Sequence, residues 1–379
     1  MTVQYATGFE AWWLALDGSP TTALALVGTA VYSEVQVRTG LHSIRCNPSS
    51  GVQSYITFEA VGSGWMHFGL YIATLPTLTR ALVGTTTNGV RLTSTGTLEY
   101  INTSVVQATT SALSTGRWYW IGVSGQNAAG VQLMQIDGSD AGGTGTAVST
   151  LAAQLGFMGT EASAADVYID DLIVDVSGFL APSNVDIAFP ISDNTRTAVT
   201  TGAGGTTNLW DAVNNAPPAG VATGSETATS NIIYPASATE SYIANLETYT
   251  TLGVGASDTL IFTRGMIRHG EDINTGTKNG TYVGTTNPTL TDNTAFTFGN
   301  DLGAHGAETG VWKTLWGSGK TTGLPTSGNF DTSPTIRVDR VSQTRLGCID
   351  FMGMYVAWTP AAAAGRVPYS TPYPQLLAH

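Results

Sequence analysis

Residues Arg117–Asp137 read RWYWIGVSGQNAAGVQLMQID and decide the fold class. Two short runs, Arg117–Ser124 and Gly130–Asp137, are rich in aromatic and branched apolar residues and are separated by a small polar stretch. Neither shows the three-to-four-residue spacing of a helix, and the second runs into Asp137-Gly138, a tight-hairpin dipeptide. Both are therefore predicted strands. Alternate strand residues share a face, which places Trp118 and Trp120 together and Tyr119 opposite.

The pattern continues outward. Upstream lie Ser54–Glu59 (SYITFE), Trp65–Ile72 (WMHFGLYI) and a predicted hairpin of Gly89–Thr93 with Thr97–Asn102 around Ser94–Gly96. Downstream lies Val167–Val176 (VYIDDLIVDV). Regular turns between short strands predict a sandwich or jelly roll for residues 1–181. Ser177–Pro190 reads as a boundary, and 182–379 as a second β-rich, sandwich-like domain. Its one predicted helix is Asn208–Asn215, with Thr207 as N-cap and Pro217-Pro218 as the stop. Its predicted strands are Glu240–Thr248, Thr259–His269, Gly280–Gly284, Thr294–Gly299, Thr335–Val341 and Gly347–Trp358.

Composition agrees with an all-β chain. Charged residues are 11% of 379, against roughly 25% in ordinary soluble domains. Lysine occurs only at Lys278, Lys313 and Lys320, while glycine occurs 45 times. Helical surfaces favour Lys and Glu, whereas Thr and Val suit a pleated surface. The net charge of −12 and the absence of a Lys/Arg cluster argue against nucleic-acid binding. No run approaches the roughly 20 apolar residues of a membrane span. The opening MTVQYATGFEAWWLALDG lacks the basic start of a secretory signal, so release by lysis is the expected route out of a cell. Cys46 and Cys348 read as buried apolar residues, with an interdomain bridge as the alternative.

The order Gly8–Glu10 (GFE), SYITFE, GRWYWIGV, GVQLMQIDG and VYIDDLIVD, over roughly residues 5–176, resembles the concanavalin-A-like (laminin-G-like) jelly roll, in the divergent form common in phage structural proteins. NLWDAVNNAPP, ESYIANLETY and IDFMGMYVAW are similar to a β-domain of tailed-phage virion proteins. These resemblances imply a virion structural protein, a head decoration or minor tail/fibre-type component docking on capsid or tail proteins as a homo-oligomer. Extended arms such as Val367–Pro374 would reach partner sheet edges. The alternative is a carbohydrate-binding module for a bacterial surface glycan.

Motifs for chemistry are sparse, and no enzyme activity is expected. The resembled fold also hosts glycosidases that carry E-x-D-x-x-E on one strand, but none of the ten Glu here has Asp two positions later. Glu59 and Glu99 are lone strand acids. Asp170, Asp171 and Asp175 form the densest acid cluster. Strand alternation puts Asp171 and Asp175 on one face and Asp170 on the other, so structural hydrogen bonding is expected, with Ca²⁺ as the lesser alternative. His269, Glu271, Asp272 and Asn274 read as a turn rather than a calcium loop. Gly317–Gly323 (GSGKTTG) lacks the first glycine of a phosphate loop, since Thr314 holds that position. No cofactor, catalytic or metal residue is assigned. Trp118, Trp120, Trp312 and Trp316 are the candidates for glycan or interface contact, the last two because they sit in a Gly-rich region.

Overall fold

The computed structural model describes residues 3–10, 24–58, 64–126, 128–197, 200–201, 208–213, 232–234, 240–271, 281–287, 296–297, 313–316, 319–324, 334–341 and 347–361. The chain is all-β and sandwich-built, with one short 3-10 turn among the described residues. It divides into two compact units, one including 20–186 and the other 187–356, with 357 onward belonging to the first.

Two large sheets make the first unit, beside a small two-stranded one of Val131–Gln132 with Thr144–Gly145. One runs Ser139–Asp140, Met134–Ile136, Trp118–Ser124, Trp65–Thr74, Asp166–Asp175, Ser43–Cys46, Val31–Ser33, with Val3–Thr7 also paired to Asp166–Asp175. The other runs Val105–Thr109, Leu98–Asn102, Gly89–Leu92, Arg80–Gly84, Gln154–Met158, Ser54–Thr57, Ala25–Gly28. The pairings described are antiparallel, as short turns demand. Phe68, Leu70, Tyr119, Ile121 and Ile169 come from the first sheet, and Leu82, Val90, Tyr100 and Leu155 from the second, to form one buried core. Burying each such side chain contributes about 1.5–3 kcal/mol. The Tyr100 hydroxyl, buried in that core, donates to the Ser124 carbonyl (2.6 Å) and accepts from the Val148 N–H (3.0 Å).

Asp137 and Gly138 both have positive φ (52° and 77°), and Ile136 pairs with Ser139 across them, so the dipeptide closes a two-residue hairpin as its chemistry requires. The Gly89–Leu92 and Leu98–Asn102 hairpin is also present. Gly130–Asp137, by contrast, is two short strands, Val131–Gln132 and Met134–Ile136, in different sheets.

The second unit has a six-stranded and a five-stranded sheet, the latter ordered Pro190–Thr197, Glu240–Leu246, Thr335–Val341, Thr281–Asn287, Phe296–Thr297. The predicted helix is a 3-10 turn, Leu209–Ala212. Its cap is Asn208 in the left-handed region, with no side-chain cap bond, and Thr207 lies outside the described residues. Asp193 supplies the missing acceptors: its Oδ2 takes the Leu209 N–H (3.1 Å) and its Oδ1 the Trp210 N–H (2.9 Å) and the Tyr242 hydroxyl (2.6 Å). Within the phosphate-loop mimic, Lys320 forms an isolated bridge to Thr263, the two exchanging backbone hydrogen bonds (2.8 and 3.0 Å).

Candidate functional site

The chemistry of the first unit collects on the face of its first sheet that points away from the core. Along the Trp118–Ser124 strand, Tyr119, Ile121 and Val123 enter the core, leaving Trp118, Trp120 and Gly122 on the outer face. The predicted pairing of the two tryptophans is therefore present. Neither is an open platform: Trp120 is 2% exposed and Trp118 9%.

Two segments cover Trp120. After the Asp166–Asp175 strand the chain doubles back over the outer face. The Asp175 carboxylate accepts the Ser177 and Gly178 N–H groups. The Leu180 N–H donates to His67 Nε2 (3.0 Å), and the Leu180 carbonyl accepts from Trp120 Nε1 (3.2 Å). Val185 N–H donates to Asp171 Oδ1 (2.6 Å). The second segment is the tip of the Val31–Cys46 hairpin, which lays the Arg38 guanidinium 5.0 Å from the Trp120 ring centroid.

Two glycines make the close approach feasible. A Cβ on Gly122 would stand 2.8 Å from the Phe179 ring, and one on Gly69 would stand 2.7 Å from Arg38 Cδ. Glycine inside a strand marks such a contact.

Alternation predicts Asp170 and Asp171 on opposite faces, and here the structure corrects the expectation. Ser43–Cys46 pairs with residues 167–169 of the long strand, and Val3–Thr7 pairs with its 172–175 end. At the changeover the register to the Trp65–Thr74 strand slips between Asp170 and Ile173, and Asp171 adopts φ 50°. That bulge turns both carboxylates to the outer face, since Ile169 and Leu172 on either side are in the core.

The hairpin tip between Ser33 and Ser43 carries backbone N–H groups outside any ladder, and buried acids satisfy them. Asp170 Oδ2 accepts the Arg38 (2.8 Å) and Thr39 (3.2 Å) N–H groups. Asp171 Oδ2 accepts from the Arg38 guanidinium and the Thr39 hydroxyl (3.0 Å). Arg38 also donates to the Ser183 carbonyl (2.7 Å). Glu10 Oε1 accepts the Leu41 (2.9 Å) and His42 (3.1 Å) N–H groups, and its Oε2 meets His42 Nδ1 at 3.1 Å.

The electrostatics follow from burial. Burial drives Asp170 well above the usual carboxylate range, and the Asp171 charge adds to it. Burial also raises Asp171 and Glu10, against the pull of Arg38 and of His42 respectively. Burial alone would lower His42, but its bond to Glu10 and the charges of Glu10 and Glu34 outweigh that and raise it. His67, wholly buried, is pushed down to about 4 by desolvation, against the attraction of Asp175. It is neutral at physiological pH, with Nε2 as a hydrogen-bond acceptor.

Among the described residues, no group of three or more His, Cys, Asp or Glu is arranged to hold a metal ion. Glu99 pairs with Arg91 (2.6 Å) and stands apart from the acids above. Glu59, Asp272, Asn274, Trp312 and Val367–Pro374 lie outside the described residues, as do the side chains of His269 and Trp316. The strand that includes His269 runs on to Glu271. Cys46 is a free buried thiol whose pKa burial pushes up to about 12. Arg38, His42, His67 and Glu10 are the site residues that sequence reading missed. The available signal was the pair of strand-interior glycines, which announce an overlying segment without naming it.

No family model and no curated protein matches the chain. Similar solved structures include the Trypanosoma rangeli sialidase, at 12% identity over 39% of this chain and 30% of that one, TM-score 0.27. They also include a tandem carbohydrate-binding module pair from Paenibacillus barcinonensis, at 10% identity over 93% and 97%, TM-score 0.23. The cellulose-induced protein Cip1 is similar at 14% identity over 47% and 99%, TM-score 0.29. The chain thus spans under a third of the sialidase's length. None of these likenesses bears on ligand or activity.

Proposed function

We propose that this chain is a non-catalytic structural component of a tailed-phage particle, of head-decoration or minor-tail type, that works by docking on neighbouring subunits. The observation that supports it best is the hairpin tip between Ser33 and His42. Its backbone is held by four hydrogen bonds to buried carboxylates, from the Arg38, Thr39, Leu41 and His42 N–H groups. On that fixed backbone Val35 is 71% exposed and Leu41 60%. A loop ordered in advance loses little entropy on docking. Buried carboxylates engaged this way serve as anchors rather than as a reactive pair.

Immunogold labelling of phage particles carrying the chain tests the proposal. Gold over the head supports decoration, and gold at the tail supports an adsorption role. Unlabelled particles overturn the proposal. The double variant Val35→Asp, Leu41→Asp should fold and fail to incorporate.

A second reading, recognition of a bacterial surface glycan by the first unit, is favoured by a row of aromatic residues beside Trp118.

A further inference from the structure

The row crosses five strands in register. Trp118 pairs with Tyr71, Tyr71 with Tyr168, Tyr168 with Arg45, and Arg45 with Val31. All project from the outer face. The Trp118 and Tyr71 ring centroids are 5.6 Å apart, those of Tyr71 and Tyr168 5.9 Å, and the Arg45 guanidinium lies 5.7 Å from the Tyr168 centroid. Towards one end, the segments described above cover His67, Gly69 and Trp120. Towards the other the face opens: Tyr71 is half-buried, and Ala73 and Thr74 are exposed. Trp118 and Tyr168 are largely covered, so Tyr71 presents the ring with the most accessible surface in the row.

Polar groups of both signs sit at the edge of this opening. Arg45 grips Asp166 through Nε (3.0 Å) and Nη2 (2.7 Å), with 37% of the Arg45 side chain exposed. This geometry leaves Nη1 to donate and carboxylate lone pairs to accept. A sugar carries both an apolar face that lies on a ring and vicinal hydroxyls that donate and accept.

Resting on the glycan reading, we infer that the Tyr71 end of this row is a binding strip for a neutral glycan, which lies on Tyr71 and places vicinal hydroxyls against Arg45 and Asp166. The ligand class is neutral because the Arg45 charge is already compensated by Asp166, so the strip holds no spare positive charge to offset the desolvation of an anionic sugar.

The test begins with the full chain on a printed oligosaccharide array, followed by calorimetric titration of the strongest binder. Tyr71→Ala and Arg45→Met should each weaken binding at least tenfold, while Tyr55→Ala on the other sheet should leave it unchanged. Binding should vary less than twofold between 50 and 500 mM salt, on the order expected when no net charge is neutralised. Circular dichroism melts establish that each variant is folded, and Arg45→Met serves if Tyr71→Ala is not. An array with no binder overturns both the strip and the glycan reading. Wild-type affinity in the folded variants overturns the strip alone, and a preference for anionic glycans with steep salt dependence overturns the neutral class.

Discussion

Gly122 shows how a single missing Cβ organises the outer face. Valine suits a strand better than glycine, yet a Cβ here would stand 2.8 Å from the Phe179 ring. Gly122→Val should therefore destabilise the protein by about 1–3 kcal/mol, the usual range for overpacking. Denaturant titration measures it, and adding Phe179→Ala should recover part of the loss. A neutral Gly122→Val would mean the overlying segment is not seated as described. His67 gives the second residue-scale test, through pH. Its folded pKa of about 4 lies below the ordinary value of 6.5. The unfolded chain therefore binds the proton more readily, and stability is lost as pH falls from 6.5 towards 4. The full loss is about 3 kcal/mol, from about 1.36 kcal/mol per pH unit. Glu10, Asp170, Asp171 and His42 have raised pKa values and bind protons more readily when folded, so they act in the opposite direction. The wild-type curve alone mixes these effects. His67→Gln keeps an acceptor for the Leu180 N–H without the titration, so the wild-type advantage over it should shrink as pH drops. A difference that stays constant with pH would show that His67 does not titrate this way.

At the scale of elements, what the sequence reveals depends on how local the cause is. Trp65–Thr74, Trp118–Ser124 and Asp166–Asp175 are legible because their apolar and aromatic side chains are dense enough to identify a buried strand. Ala25–Gly28 (ALVG) and Arg80–Gly84 (RALVG) are too short and plain to stand out, and only their neighbours in the sheet make them strands. The Asp170–Asp171 bulge was not legible either. It arises where the neighbouring strand changes from Ser43–Cys46 to Val3–Thr7, segments far apart in sequence. Likewise alternation paired Trp118 with Trp120 correctly, while the burial of Trp120 depends on Leu180 and Arg38, which alternation does not see. The 3-10 turn follows the same rule: its acceptors come from Asp193, 16 residues upstream of Leu209 and on a different element. Asp193→Ala should remove that cap at a cost of about 0.5–2 kcal/mol. Amide hydrogen exchange should show faster exchange at Leu209 and Trp210 with little change in the first unit. Unchanged protection at those two amides would assign the turn's stability to packing alone.

For the molecule as a whole, sparse charge has consequences for assembly. A net charge of −12 on 379 residues makes identical copies repel at long range. Yet Asn102–Gly116 contains no charged residue, and its strand Val105–Thr109 exposes Val105 (59%) and Val106 (41%). Contacts through such neutral faces should depend on salt in the opposite sense to contacts made by ion pairs. Screening removes the long-range repulsion, with a Debye length of roughly 30 Å at 0.01 M and 8 Å at 0.15 M, and leaves apolar contacts intact. Sedimentation velocity over that range should therefore show self-association that strengthens as salt rises. Association that weakens with salt would mean that copies meet through opposite charges, and a monomer at every salt concentration would argue against a homo-oligomeric particle component.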